Sequence, residues 1–201
     1  MRTTIEWRYI RWASLGGFPG LVLGSVFLAP MLPSDVIKLS FTMMVGSFGV
    51  VLCLLNRTDK VRHVTIPFWG HKARIFSLWA GLWGGTISGL VGSGMDIVCF
   101  SVLVLLFGMC EKVSTPTSVI LMAINAIAGF VLHQFVLNDF TAPVTHYWLA
   151  AVPIVVVGAP IGAIICSSMN RKNIVRVLTC LVLTEVFSSF ILITLSTPLF
   201  V

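Results

Sequence analysis

Charge is what this sequence has least of. Asp, Glu, Lys and Arg make up 10% of its 201 residues, against about 25% in soluble globular domains, which leaves too little to clothe a water-facing surface. Metal-ligand spacing is also missing: His63, His71, His133 and His146 form no motif. The five cysteines, Cys53, Cys99, Cys110, Cys166 and Cys180, show no CxxC pair and sit in or at the ends of apolar segments, where they read as small buried hydrophobes. No nucleotide-binding loop, nucleophile elbow or paired carboxylates occur, so ATP-driven and hydrolytic roles are unsupported, and neither an enzyme nor a cofactor is expected. The net charge of +6 does not point to nucleic acid, because the Lys and Arg residues gather in short segments between apolar runs, as in cytoplasmic loops. A cleavable secretory signal is not evident either, since the first apolar run, about Ile10 to Pro30, has full spanning length.

What is present is apolar length. With 57% hydrophobic residues and a mean hydropathy of +1.01, the chain reads as an all-α membrane protein. Since about 20 apolar residues cross the hydrocarbon core, spans are expected near residues 10–30, 35–55, 114–135, 147–169 and 173–196. Residues 75–110 are too long for one span. Trp7, Trp12, Trp69 and Trp148 lie near span ends, as interfacial anchors do.

The excess segment carries the feature around which the rest is arranged. From Gly81 to Gly94 it holds six glycines with Thr86, Ser88 and Ser93, and Asp96 follows. Backbone freed at membrane depth survives only where it faces protein or a water-filled cavity, and helices broken near the midplane form transporter binding sites. The break predicts two shorter helices, near 75–91 and 96–109.

Charge sets an expected orientation. Arg2, Arg8 and Arg11, the segment with Arg57, Lys60, Arg62, Lys72 and Arg74, and the turn with Arg171, Lys172 and Arg176 belong in the cytoplasm, whereas 136–146, with Asp139 and no Lys or Arg, belongs outside. The chain then returns to the cytoplasm near Glu111 and Lys112, so 75–110 begins and ends on one side as a hairpin or re-entrant pair. An internal repeat accompanies this topology. Gly24-Ser-Val-Phe-Leu-Ala-Pro-Met-Leu-Pro-Ser-Asp-Val-Ile-Lys38 aligns without gaps on Gly162-Ala-Ile-Ile-Cys-Ser-Ser-Met-Asn-Arg-Lys-Asn-Ile-Val-Arg176, and the two copies face opposite ways, as in inverted-repeat transporters. The expected architecture is a polytopic helical bundle of about 6–7 membrane segments. It divides into the closing helix pair of a first, incomplete repeat (1–56), a basic cytoplasmic loop (57–74) and a complete second repeat (75–201).

Several residues carry candidate chemistry. Asp96 at membrane depth costs at least about 2.5 kcal/mol; it couples a proton or cation, caps the following half-helix, or stands in interfacial water. Thr115, Thr117 and Ser118 surround Pro116 as a helix-opening cluster, whose hydroxyls either cap the helix or donate to an anion. Asn125, in mid-span, either bonds to a neighbouring helix or lines a pore. Glu185, with Thr184, Ser188 and Ser189, is a second intramembrane acid, either functional or paired with a neighbour. His133 and Gln134 end a span and read as interfacial.

The ordered set Gly85-Thr-Ile-Ser88-Gly89-Leu-Val-Gly92-Ser-Gly94, Thr115-Pro-Thr117-Ser118 with Asn125, and Ala159-Pro160-Ile-Gly162-Ala163 before a basic turn resembles the sulfite exporter TauE/SafE family of membrane permeases. Ile5-Glu6-Trp7-Arg8 with Gly16-Gly17-Phe18-Pro19-Gly20 and Gly24 is similar to that family's connection into the closing hairpin of its first repeat. The chain departs from the pattern in lacking a first Gly-rich hairpin and in having Met95 and Asp96 where Gly or Pro is common. The resemblance implies a permease of the cytoplasmic membrane for sulfite or an organosulfonate, with the lipid bilayer and a small anion as partners. The expected substrate-binding residues are Ser88, Gly89, Gly92, Ser93, Gly94, Thr115, Thr117, Ser118 and Asn125, and Asp96 and Glu185 are the coupling groups. The alternative is a non-transporting truncated protein, or a subunit completed by a partner or by a second copy in a homo-oligomer.

Overall fold

The computed structural model describes residues 4–57, 63–67, 69–138, 142–168 and 171–196. Among these, seven helices follow one another: α1 (Trp7–Met31), α2 (Ser34–Arg57), α3 (His71–Val91), α4 (Met95–Leu106), α5 (Glu111–Leu137), α6 (Ala142–Ser168) and α7 (Arg171–Ser196). Four of them contain stretches long and apolar enough to cross a membrane, in α1, α2, α5 and α6. Apolar length alone places these helices to within a few residues of expectation. The largest shift is in α6, which begins at Ala142 rather than near 147, and α5 begins at Glu111 rather than near 114. Its N-cap, Cys110, is extended, and Glu111 supplies the acid of the first turn, a favourable place for negative charge. Pro116 therefore lies inside the helix and does not open it. Of the residues used to orient the chain, Arg2, Lys60, Arg62 and Asp139 lie outside the described residues.

α1 and α3 run parallel and pack backbone to backbone. A methyl group built on Gly81 or Gly85 would collide with the carbonyls of Ala13 or Gly17, and one built on Gly16, Gly20 or Gly24 would collide with those of Leu78, Leu82 or Thr86. Two stripes of glycine at four-residue spacing, 16/20/24 and 81/85/89, thus interdigitate. In lipid, where apolar side chains gain nothing by leaving their solvent, such close approach is a main source of helix association. Ser25 tightens the far end of the pair by donating to the Gly89 carbonyl at 3.2 Å.

α3 ends at Gly92 and the chain turns back at once. Gly92 (φ 90°) and Gly94 (φ 127°) take backbone conformations that side chains with a Cβ rarely adopt, and α4 starts at the next residue. α4 descends antiparallel to α3, with Met95 against Gly84. α5 then rises parallel to α1, with Glu6 against Thr117 and Leu21 against Gly129. The two feet of the α3–α4 hairpin meet at one end of the bundle, hereafter the near end. There His63 N–H donates to the Gly108 carbonyl at 3.0 Å and Cys110 N–H donates to the His63 carbonyl at 2.9 Å.

α2 descends beside the hairpin, placing Phe48 edge-on to Phe100 at 6.0 Å and Met44 against Gly94. α7 packs antiparallel on α2, where Gly46 and Gly49 face Val186 and Val182. α6 meets α5 through the Phe130–Trp148 ring contact, 5.9 Å between centroids. The α1–α2 and α6–α7 hairpins therefore run in opposite senses, the geometry that the repeat in the sequence calls for.

Candidate functional site

The break in the hairpin lies across the middle of the bundle. α1 spans 25 residues and α5 spans 27, so their midpoints fall beside Gly17 and Asn125. These two are neighbours: a methyl on Gly17 would stand 3.6 Å from Asn125 Oδ1 and 3.2 Å from Met95 Sδ. Asn125 Nδ2 in turn donates to Ser88 Oγ at 2.9 Å. Both side chains are buried, with 5% and 7% exposure. One hydrogen bond therefore joins α3 to α5 at the depth where α4 begins.

That beginning is a helix N-terminus with no side-chain cap among the described residues. Gly94, the N-cap, has no side chain to offer, and the first bond of the helix is Val98 N–H to the Gly94 carbonyl at 3.1 Å. The N–H groups of Gly94, Met95, Asp96 and Ile97 precede that bond, and the helix dipole adds positive potential to their donor capacity. Asn125 spends one of its two amide hydrogens on Ser88, and Ser88 accepts that bond without using its own proton. Free backbone donors, an amide, a hydroxyl and a positive helix end are the chemistry that holds an oxyanion without a full cationic charge. No Lys or Arg occurs in the sequence between Trp12 and Met31, between Ile75 and Leu106, or between Val113 and Leu137. Asp96 is the one acid of these stretches, and it stands partly buried in the first turn of α4.

The other expected residues fall in several places. Gly89 belongs to the α1–α3 seam and receives the Ser25 hydroxyl. Gly92 is exposed at the turn with no atom near its missing side chain, Ser93 is partly buried, and Gly94 is buried beside Met44. Thr117 and Ser118 lie about two turns from Asn125 toward the near end. There the Thr117 hydroxyl donates to the Val113 carbonyl at 2.6 Å and accepts the Glu6 N–H at 3.3 Å, and Ser118 donates to the Thr115 carbonyl at 3.0 Å. Thr115 itself faces outward. The cluster occupies the second turn of α5, where Thr117 ties that helix to Glu6 at the start of α1 and Ser118 bonds within its own helix. Glu185 sits on α7, whose described packing is against α2.

Sequence reading missed Gly17 and Met95 as walls of the site. The signal for Gly17 was its place in the glycine-rich stretch of α1; for Met95 there was none beyond adjacency to the break. Replacing Asn125 with leucine is expected to cost about 1–3 kcal/mol by leaving Ser88 buried without its partner, read as a lowered unfolding midpoint in detergent. Asn125→Leu with Ser88→Ala together should cost less than the two separate losses combined.

Among known families, the one described as Sulfite exporter TauE/SafE matches residues 1–187 of this chain. No curated protein and no solved structure matches it.

Proposed function

Because the chain belongs to the sulfite exporter TauE/SafE family, a family of multi-pass membrane transporters and not of enzymes, we propose that it carries a small sulfur oxyanion, sulfite or an organosulfonate, by alternating access around the Ser88–Asn125 pair. The observation that carries this reading is the bare N-terminus of α4 at the midpoint of α1 and α5, with Asn125 and Ser88 beside it. The oxygens of the anion would take the N–H groups of Gly94 to Ile97, while Asn125 and the Ser88 hydroxyl select the oxyanion face. Asp96, in the same turn, would hold a proton while the anion is bound, since two negative charges at that separation repel in a poorly screened interior. Anion passage is then coupled to a proton.

Orientation follows from charge. Arg8, Arg11, Lys72, Arg74 and Lys112 all stand exposed at the near end, and the Arg74 guanidinium lies 5.8 Å from the Trp12 ring centroid, as expected where interfacial aromatics meet basic residues. By the positive-inside rule the near end, with the N-terminus, is cytoplasmic.

Purified protein in lipid vesicles provides the test. Labelled sulfite and an alkanesulfonate should be taken up well above empty vesicles, and each should compete with the other. Gly17→Ala would meet only the flexible end of Met95 at 2.6 Å, so it should raise the concentration for half-maximal uptake several-fold while leaving the unfolding midpoint in place. Uptake equal to that of empty vesicles for every sulfur oxyanion tried would remove the proposal.

A further inference from the structure

The site is sealed unequally toward its two ends. On α5 the buried residues are Val113, Ser114, Thr117, Ser118, Leu121 and Asn125, and none of the described residues from Ala126 to Leu137 is buried. Below the Ser88–Asn125 pair, toward the near end, Tyr9, Cys99, Leu103, Met109, Val113 and Leu121 form one apolar plug, all at 2% exposure or less. The plug is latched from outside the helices. Ile66 inserts into it, and His63, three residues earlier, is bonded to Gly108 and Cys110 in a short parallel bridge.

We propose that the segment His63–Ile66 is the gate of the near end: it must release residues 108–110 before a solute at the Ser88–Asn125 pair can reach that side. This rests on the transport reading above, and the test separates the two. Three observations support a device that opens. The latch consists of two backbone hydrogen bonds and one inserted side chain, so it can part without disturbing the glycine seam between α1 and α3. α4 is wound as a π-helix from Val102 to Leu106, immediately before Phe107 and Gly108; such windings are uncommon and frequent at functional sites, and α1 and α5 carry their own at Leu23–Leu28 and Leu132–Leu137. Finally, Tyr9 is fully buried, packed edge-on to Phe107 at 6.1 Å. Its hydroxyl lies beside the Cys99 thiol without a well-formed hydrogen bond among the described residues. A dry plug leaves that hydroxyl unsatisfied, and water entering on release of the latch would satisfy it. The closed state thus carries a penalty that opening relieves.

His63→Cys, joined to the native free Cys110 by a short, reductively cleavable reagent with two thiol-reactive groups, tests the gate in vesicles. Linking should lower sulfonate flux at least tenfold, and cleavage should restore it. A linked protein that transports at the unlinked rate overturns the gate while leaving transport intact, and absence of flux from the unaltered chain removes the transport reading instead. Hydrogen exchange on the unaltered chain gives a second measurement that needs no variant. The His63 and Cys110 amides, the two donors of the latch, should exchange severalfold faster with sulfonate present than without it, and identical rates with and without solute would also overturn the gate.

Discussion

Gly85→Ala is expected to lower the unfolding midpoint of the purified protein by roughly 5–10 °C, the shift of a few kcal/mol in a chain of this size, while Gly158→Ala leaves it unchanged or slightly raised. The two substitutions add the same methyl group to helices of the same kind. They differ in what the methyl meets. At Gly85 it runs into the backbone of Gly17, with the Cα at 2.8 Å, whereas at Gly158 nothing lies within 4 Å. Overpacking a core costs about 1–3 kcal/mol when side chains can shift aside, and a backbone carbonyl on a packed helix has less freedom than any side chain. Relief requires α1 and α3 to separate, which loosens Gly16, Gly20, Gly24 and Gly89 along with Gly85. Gly20→Ala should therefore behave like Gly85→Ala, and the double variant should cost less than both combined, because one separation relieves both clashes. Equal midpoints for Gly85→Ala and Gly158→Ala would mean that the seam does not hold the bundle together.

That seam also marks the boundary of what could be read from the residues. The break itself was legible in the glycine-rich run, although only Gly92 and Gly94 form it and Gly81, Gly85 and Gly89 serve the α1–α3 seam; helix ends followed from apolar length and flanking charge. The hairpin's return to its starting side followed from the positions of Arg and Lys alone. Partner choice was not legible in the same way. The four-residue spacing of 16/20/24 and 81/85/89 advertises two close-packing faces, yet nothing local states that they meet each other, in parallel, with Gly17 opposite Gly85. Thr115, Thr117 and Ser118 show the opposite difficulty. Pro116 is a strong local signal for a helix opening, and it was overridden by Glu111 and the extended Cys110 one turn earlier. Once α5 starts there, Thr117 faces Glu6, the residue before α1, rather than a cavity. Asn125 was left open between structural bonding and pore lining; the structure shows the bond, to Ser88 of α3, and pore lining belongs to the transport proposal.

Exchanging Asp96 for asparagine should convert a proton-dependent flux into one indifferent to pH. Asp96 lies in the first turn of α4, beside the four N–H groups assigned to the anion. If ionised, it opposes a second negative charge about 4 Å away by about 4 kcal/mol at the effective dielectric of a partly solvated site, which is close to a thousandfold in occupancy. If the Asp96 carboxyl must carry a proton for the anion to pass, flux in the unaltered protein should fall as the pH is raised and recover as it is lowered. Sulfite titrates near neutrality and would confound the measurement, so the probe is an alkanesulfonate, whose single charge is fixed over the range used. Asp96→Asn keeps the shape of the side chain and removes the charge at every pH. Its sulfonate flux should stay level across the range in which the unaltered protein declines, and an imposed pH gradient should no longer drive accumulation above the outside concentration. Glu185→Gln, on a helix packed against α2, should leave the pH profile unmoved. If Asp96→Asn instead followed the same descending curve as the unaltered protein, the proton would have to reside elsewhere, and the carboxylate would be left with only its favourable place at the positive end of α4.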